Sequence, residues 1–230
     1  MATPKYTTQK EKIEKGVIII PDISGYTRLV RGVDALTGRS ITYELLSAII
    51  SSNELSLEVS EIEGDAVLFY RYGQPPHLGE LTCQFERMLT AFNHKAAAIG
   101  RKLGRVLGVS LKMIVHYGTL AEYKINGFKK LYGESVIEAH RLLKNSVSSE
   151  SYLLITDQVF KKLNISKDTH PKGLQAEQVC EVYGELRNIC YTYYDYQRGQ
   201  PLSKGFINAS KPISKQDLGI PATGSALYSN

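Results

Sequence analysis

Tryptophan is absent from this 230-residue chain, and cysteine occurs only three times. Cys83, Cys180 and Cys190 are odd in number and form no Cys-x-x-Cys pair, so no zinc pattern exists. They read as reduced thiols of a cytoplasmic protein. No apolar run reaches the ~18 residues that span a bilayer, so no membrane partner is expected. Met1 to Lys15 is polar and mixed in charge, which is not the pattern of a secretory signal. Blocks of like charge are missing too. The net charge of +5 comes from 28 Lys and Arg scattered among 23 Asp and Glu. Such a mild bias does not indicate nucleic acid, and a nucleotide's phosphates account for it equally well. What remains is ordinary globular composition, 43% hydrophobic and 22% charged, sufficient for one large domain with tails.

Residues 1–15 read as a polar leader, 16–196 as the domain and 197–230 as a Gly, Ser, Pro and Lys-rich tail. Val17 to Ile20 is an apolar run suited to a strand buried on both faces. The loop at 22–25 opens a helix, a Gly/Thr/Arg break at 37–40 precedes a second, and a hairpin fills 55–72. Leu78 to about Arg101 has the apolar spacing of a long helix. Val109 to Val115 alternates as a strand, and His116-Tyr117-Gly118 reads as a turn into another near Leu120 to Ile125. Asn126-Gly127 is a strong turn signal, followed by a loop into a helix over 133–143. A short strand at Tyr152 to Ile155, a helix capped by Thr156 or Asp157, and a tyrosine-rich hairpin over 180–196 turning near Glu185 to Asn188 complete the order. The class is α+β, with an antiparallel or mixed sheet of ferredoxin-like, palm type covered by helices.

The chemistry gathers at two acidic positions. Glu61-Ile62-Glu63-Gly64-Asp65-Ala66 has apolar alternation around a Gly-Asp turn, with Gly64 suited to a positive φ. Asp22 follows the first strand. Carboxylates at the ends of neighbouring strands suit a hard divalent cation, and the loop beside Asp22 suits phosphate. The plainer alternatives are a helix-capping Asp22 and a turn-forming Asp65.

Three segments together resemble the class III nucleotidyl cyclases. Ile20-Pro21-Asp22-Ile23-Ser24-Gly25-Tyr26-Thr27 is similar to their first metal-binding motif, and Glu61 to Ala66 to their second. Gly133-Glu134-Ser135-Val136-Ile137-Glu138-Ala139-His140-Arg141-Leu142 is similar to their Gly-x-x-Val-Asn-x-Ala-x-Arg-Leu helix. The resemblance runs over roughly residues 16–195 and is closer still to a bacterial group of unknown function. It implies two Mg²⁺ or Mn²⁺ ions per site on Asp22, Asp65 and the Ile23 backbone. It implies a nucleoside triphosphate substrate, its phosphates cradled by Ser24, Gly25, Tyr26 and Thr27. Arg141 is implied as the catalytic residue that neutralises transition-state charge, reaching across a head-to-tail homodimer. The base-reading positions fall at Glu61 and Lys130. A Glu there resembles guanylyl cyclases; Lys130 fits neither standard purine-reading set, so pyrimidines stay open.

Two departures point the other way. Ile137 stands where the family has a ribose-orienting Asn, and the late phosphate-binding Lys is missing near Tyr183-Gly184, with Lys129 or Lys130 as substitutes. The chain thus reads as a cyclase, or as a degenerate nucleotide-binding or dimerisation module. Other two-metal phosphoryl chemistry is a weaker third reading. His116 and His140 read as structural, the tyrosines of 191–196 as sheet packing, and Cys83 as core.

Overall fold

The computed structural model describes residues 13–171, 174–182 and 188–197. The leader through residue 12, the tail beyond Gln197 and the Tyr183-Gly184 position lie outside the described residues. No described helix is long and apolar enough to cross a membrane.

The elements in chain order are β1 (Ile13–Ser24), α1 (Tyr26–Arg31), α2 (Ala35–Ser51), β2 (Glu58–Glu63), β3 (Ala66–Tyr72), α3 (Leu78–Leu103), β4 (Ser110–Ile125) and β5 (Phe128–Tyr132). They continue with α4 (Glu134–Leu142), β6 (Tyr152–Thr156), α5 (Asp157–Leu163), β7 (Ala176–Val182) and β8 (Asn188–Asp195). The strands form one sheet in the order β2-β3-β1-β4-β6-β8-β7, with β5 paired to the far half of β4. Among the described residues only the β4–β6 pair is parallel. The α+β reading therefore holds, and the sheet is mixed.

Strand β1 is the spine because both of its faces are apolar. Val17, Ile19 and Ile23 pack with Leu45 and Ile49 of α2 and Phe85 and Phe92 of α3. Ile18 and Ile20 point the other way, toward Ala139 and Leu142 of α4. Each such side chain contributes roughly 1.5–3 kcal/mol on burial, so both layers are anchored on the strand that carries Asp22 near its end.

Four sequence expectations change. His116-Tyr117-Gly118 is no turn: β4 runs unbroken for 16 residues. Continuous pairing with β1, from Ile13↔Ala121 to Ser24↔Ser110, holds it extended. Gly118 serves close packing instead, because a Cβ there would lie 1.9 Å from Ser135 Oγ of α4. No break falls at 37–40 either. Asp34 Oδ1 accepts from the N–H groups of Leu36 and Thr37, both at 3.1 Å, and starts α2 at Ala35. The segment after Asn126-Gly127 is strand β5 rather than loop. Asn126 (φ 49°) and Gly127 (φ 84°) both adopt the left-handed conformation that a tight hairpin demands. Finally, Cys180 and Cys190 stand directly opposite in the β7–β8 ladder, Cα–Cα 4.0 Å, and are joined as a disulfide. Cys83 alone stays free, so the reading of three reduced thiols is corrected, and with it the cysteine argument for the compartment.

His116 of β4 is fully buried. Its Nε2 lies 2.9 Å from Glu138 Oε2 of α4, an ion-pair distance without hydrogen-bond angles. Its Nδ1 meets Thr156 Oγ1 at 3.1 Å. The structural reading of His116 holds: it ties α4 to the sheet.

Candidate active site

Antiparallel register brings the end of β1 beside the start of β3 and β4. Asp22 stands opposite Ala66 on one side and Lys112 on the other. Its position is even in the alternation, like Ile18 and Ile20, so it faces the α4 layer. Asp22 Oδ2 forms an ion pair with Lys112 Nζ at 3.0 Å, with the two side chains only 13% and 17% exposed. Lys112 Nζ also donates to the carbonyl of Leu143, which caps α4, at 3.1 Å.

Asp65 sits in the tight β2–β3 turn beside Gly64, whose φ is 60°. The carbonyl of Asp65 accepts from Ile23 N–H at 3.3 Å, so the turn is fastened to the end of β1. Loss of water raises the pKa of its carboxyl to about 6, the charge of Asp22 adds to the rise, and Lys112 opposes it. The causes of that rise put Asp22 and Lys112 within electrostatic reach of Asp65.

A stability test follows, with a definite sign. A carboxyl whose folded pKa lies above its unfolded value costs stability once pH rises past that unfolded value. Asp65→Asn in chelator-treated buffer is therefore expected to melt higher than wild type at pH 7.5. The gap should open between pH 3.8 and about 6 and close below it. Melting curves across that range check this, and a variant no more stable than wild type at pH 7.5 contradicts it.

The remaining first-motif residues fall close by. Ile23 buries its side chain in the opposite layer, which leaves only its carbonyl to face a ligand. Ser24 ends β1, Gly25 turns left-handed (φ 82°), and Tyr26 and Thr27 open α1. Gly25 is required twice, since a Cβ would also stand 2.6 Å from the carbonyl oxygen of Gly108. The Tyr26 hydroxyl is engaged with Thr42 Oγ1 at 3.1 Å.

A second cluster lies along β2. The ladder shifts register between Val59 and Glu61, and this bulge lets Glu58, Glu61 and Glu63 all stand opposite residues of the α4 face. The β4–β5 arm brings lysines to them. Lys130 forms an ion pair with Glu61, so the two base-reading candidates meet each other. That contact holds the Lys130 ammonium above its ordinary pKa. His140 of α4 stands 3.7 Å from Glu61 and 3.8 Å from Glu63. Lys129 lies between Glu58 (2.9 Å) and Glu122 (3.2 Å), over the Tyr70 ring. These partners hold Lys129 on the β2 cluster.

Arg141 lies exposed in the last turn of α4 and makes no ion pair among the described residues. Ile137 is 51% exposed on the same helix. Sequence reasoning missed Lys112 and assigned His140 a structural role alone. Only the β1–β4 register and the bulge in β2 reveal what these two side chains face.

A family model described as a protein of unknown function, DUF2652, matches residues 42–152, just under half of the chain. An uncharacterized protein of Mycobacterium tuberculosis, Rv2561/Rv2562, is 27% identical over 132 residues. The match covers 54% of this chain and 60% of that relative. Among solved structures, the guanylyl cyclase Cya2 superposes with a TM-score of 0.62 at 10% identity, covering 81% of this chain and 93% of that one. The adenylyl cyclase CyaB from P. aeruginosa gives 0.55 at 14% identity, with 84% and 100% covered. A dimeric guanylyl cyclase domain from the fungus Blastocladiella emersonii gives 0.52 at 15% identity, with 81% and 97% covered. At these identities the likeness is one of architecture: the chain has the fold of adenylyl and guanylyl cyclase domains, and the family model that it matches carries no stated activity.

Proposed function

We propose that this protein is a class III-type nucleotidyl cyclase, forming a 3′,5′-cyclic nucleotide from a nucleoside triphosphate at the interface of a head-to-tail homodimer. The observation that carries the reading is the shared site of Asp22 and Asp65 on a sheet of cyclase fold. Hard carboxylate oxygens and the Ile23 carbonyl suit Mg²⁺ or Mn²⁺, and the raised proton affinity of Asp65 marks a place where positive charge is wanted. A divalent cation bound there lowers the pKa of the ribose 3′-hydroxyl and offsets polyphosphate charge. Asp22 and Asp65 would hold that cation beside the reacting end of the substrate. Backbone N–H groups of Ser24 to Thr27 receive the terminal phosphates. The partner's Arg141 meets the charge that develops as the 3′-oxygen attacks the α-phosphorus and pyrophosphate leaves. Exposed apolar side chains of the β4–β5 arm, Tyr123, Ile125, Phe128 and Tyr132, together with Ile137, support a second copy as the covering surface.

Purified protein incubated with each of four triphosphates and Mn²⁺, with products identified by mass spectrometry, tests this directly. Formation of a cyclic product supports the cyclase. Binding without turnover would favour the second reading, a degenerate nucleotide-binding or dimerisation module, on the ground that Ile137 cannot orient a ribose.

For the base we infer guanine. An ionised Glu61 accepts from guanine N1–H and N2–H, while Lys130 donates to O6, each exchanging its present partner for the base. Reversing the pair as Glu61→Lys with Lys130→Glu keeps the ion pair but inverts donor and acceptor. Competition assays with mixed triphosphates should then move at least ~10-fold toward adenine. An unchanged preference means that the pair does not face the base.

A further inference from the structure

The two-metal pattern meets an obstacle in this chain: a lysine stands at the metal-binding end of the site. Lys112 is carried on β4, directly opposite Asp22, and 83% of its side-chain surface is covered, since it is 17% exposed. Two partners fix its ammonium, an ion pair with Asp22 Oδ2 at 3.0 Å and a hydrogen bond to the Leu143 carbonyl at 3.1 Å. The carbonyl belongs to the C-terminal end of α4, where the helix dipole favours positive charge.

We infer that the Lys112 ammonium takes the place of one of the two divalent cations, so that each site binds a single Mg²⁺ or Mn²⁺ beside a built-in monovalent charge. This rests on the reading of Asp22 and Asp65 as cation ligands. The argument is electrostatic. One dication sharing the two aspartates with the ammonium keeps the cluster near neutral. A second would raise the sum over Asp22, Asp65, Lys112 and the metal from +1 to +3 in a half-dry site, leaving only the substrate's phosphates to offset it. Asp65 makes no ion pair among the described residues, so its carboxylate is the one open to the single ion. An ammonium has three donors. The Leu143 carbonyl takes one, and the ion pair with Asp22 holds the charge in place, so a donor is left for a phosphate oxygen. Lys112 would thereby also supply the phosphate-binding lysine that is missing near Tyr183-Gly184.

The test counts bound ions rather than turnover. Full-length protein is saturated with the non-cleavable α,β-methylene analogue of GTP and titrated with Mn²⁺, with bound ion read by electron paramagnetic resonance. Wild type is expected to hold one Mn²⁺ per bound nucleotide, Lys112→Arg one, and Lys112→Met two. Two ions in wild type, or one in Lys112→Met, would overturn the inference and leave the aspartate reading standing. No protein-bound ion in wild type would overturn both. Should Lys112→Met fail to fold, the wild-type and Lys112→Arg counts still decide the matter.

Discussion

Asp22→Ala and Asp65→Ala are each expected to lower Mn²⁺-dependent turnover by about 10³-fold or more, as loss of a preorganised group that stabilises charge does elsewhere. Their effects on stability should have opposite signs. Asp22 is the carboxylate partner of Lys112, so its removal leaves a largely covered ammonium with only the Leu143 carbonyl. An unpaired group of that kind costs about 1–3 kcal/mol, and the melting temperature should fall by several degrees. Asp65 has no such partner and is charged against its surroundings at neutral pH, so its removal should raise the melting temperature in metal-free buffer. Added Mn²⁺ then separates the two effects: it should stabilise wild type by mass action and leave both variants unmoved. Equal loss of activity with opposite shifts in melting temperature would mark a site in which stability is given up for charge. Retained turnover in either variant would remove the aspartates from the chemistry.

The fold was legible wherever the pattern is local. Val17 to Ile20 reads as a doubly buried strand because four consecutive apolar residues need apolar cover on both faces, and both layers of the core are built on it. Asn126-Gly127 reads as a turn because those residue types tolerate the left-handed conformation, which both adopt. Gly118 misled for the opposite reason. A glycine signals either a turn or a close approach, and only the packing of Ser135 against it distinguishes the two. The aspartates were legible as a pair through their motifs. Their neighbour Lys112 was not, since the β1–β4 pairing joins residues 90 positions apart and no local pattern fixes that register. The bulge between Val59 and Glu61 is equally silent in sequence, yet it decides that Glu58, Glu61 and Glu63 share a face. The Cys180–Cys190 disulfide likewise depends on a hairpin register, and a spacing of ten residues does not announce it.

The second large effect concerns Arg141. Within its own chain it is exposed and makes no ion pair among the described residues, so its guanidinium is open to a phosphate held by a second copy. Acting in trans, it would complete the site of a second copy docked on the apolar β4–β5 arm. Arg141→Ala alone should then lose roughly 10²- to 10³-fold in turnover with an unchanged melting curve, because no folded-state partner is lost. Mixed with Asp65→Ala, it should recover. In a two-fold dimer of one chain of each kind, one site lacks both residues and the other has both. Equal mixing with free exchange makes half of the dimers mixed, so activity should return to about a quarter of the wild-type value. Subunit exchange is verified separately with two affinity tags. Exchange without recovery would place Arg141 in cis or outside the reaction, and a strict monomer at micromolar concentration would exclude the shared site. Recovery near a quarter is hard to obtain otherwise, because neither variant contains a complete site and only donation across the interface can assemble one.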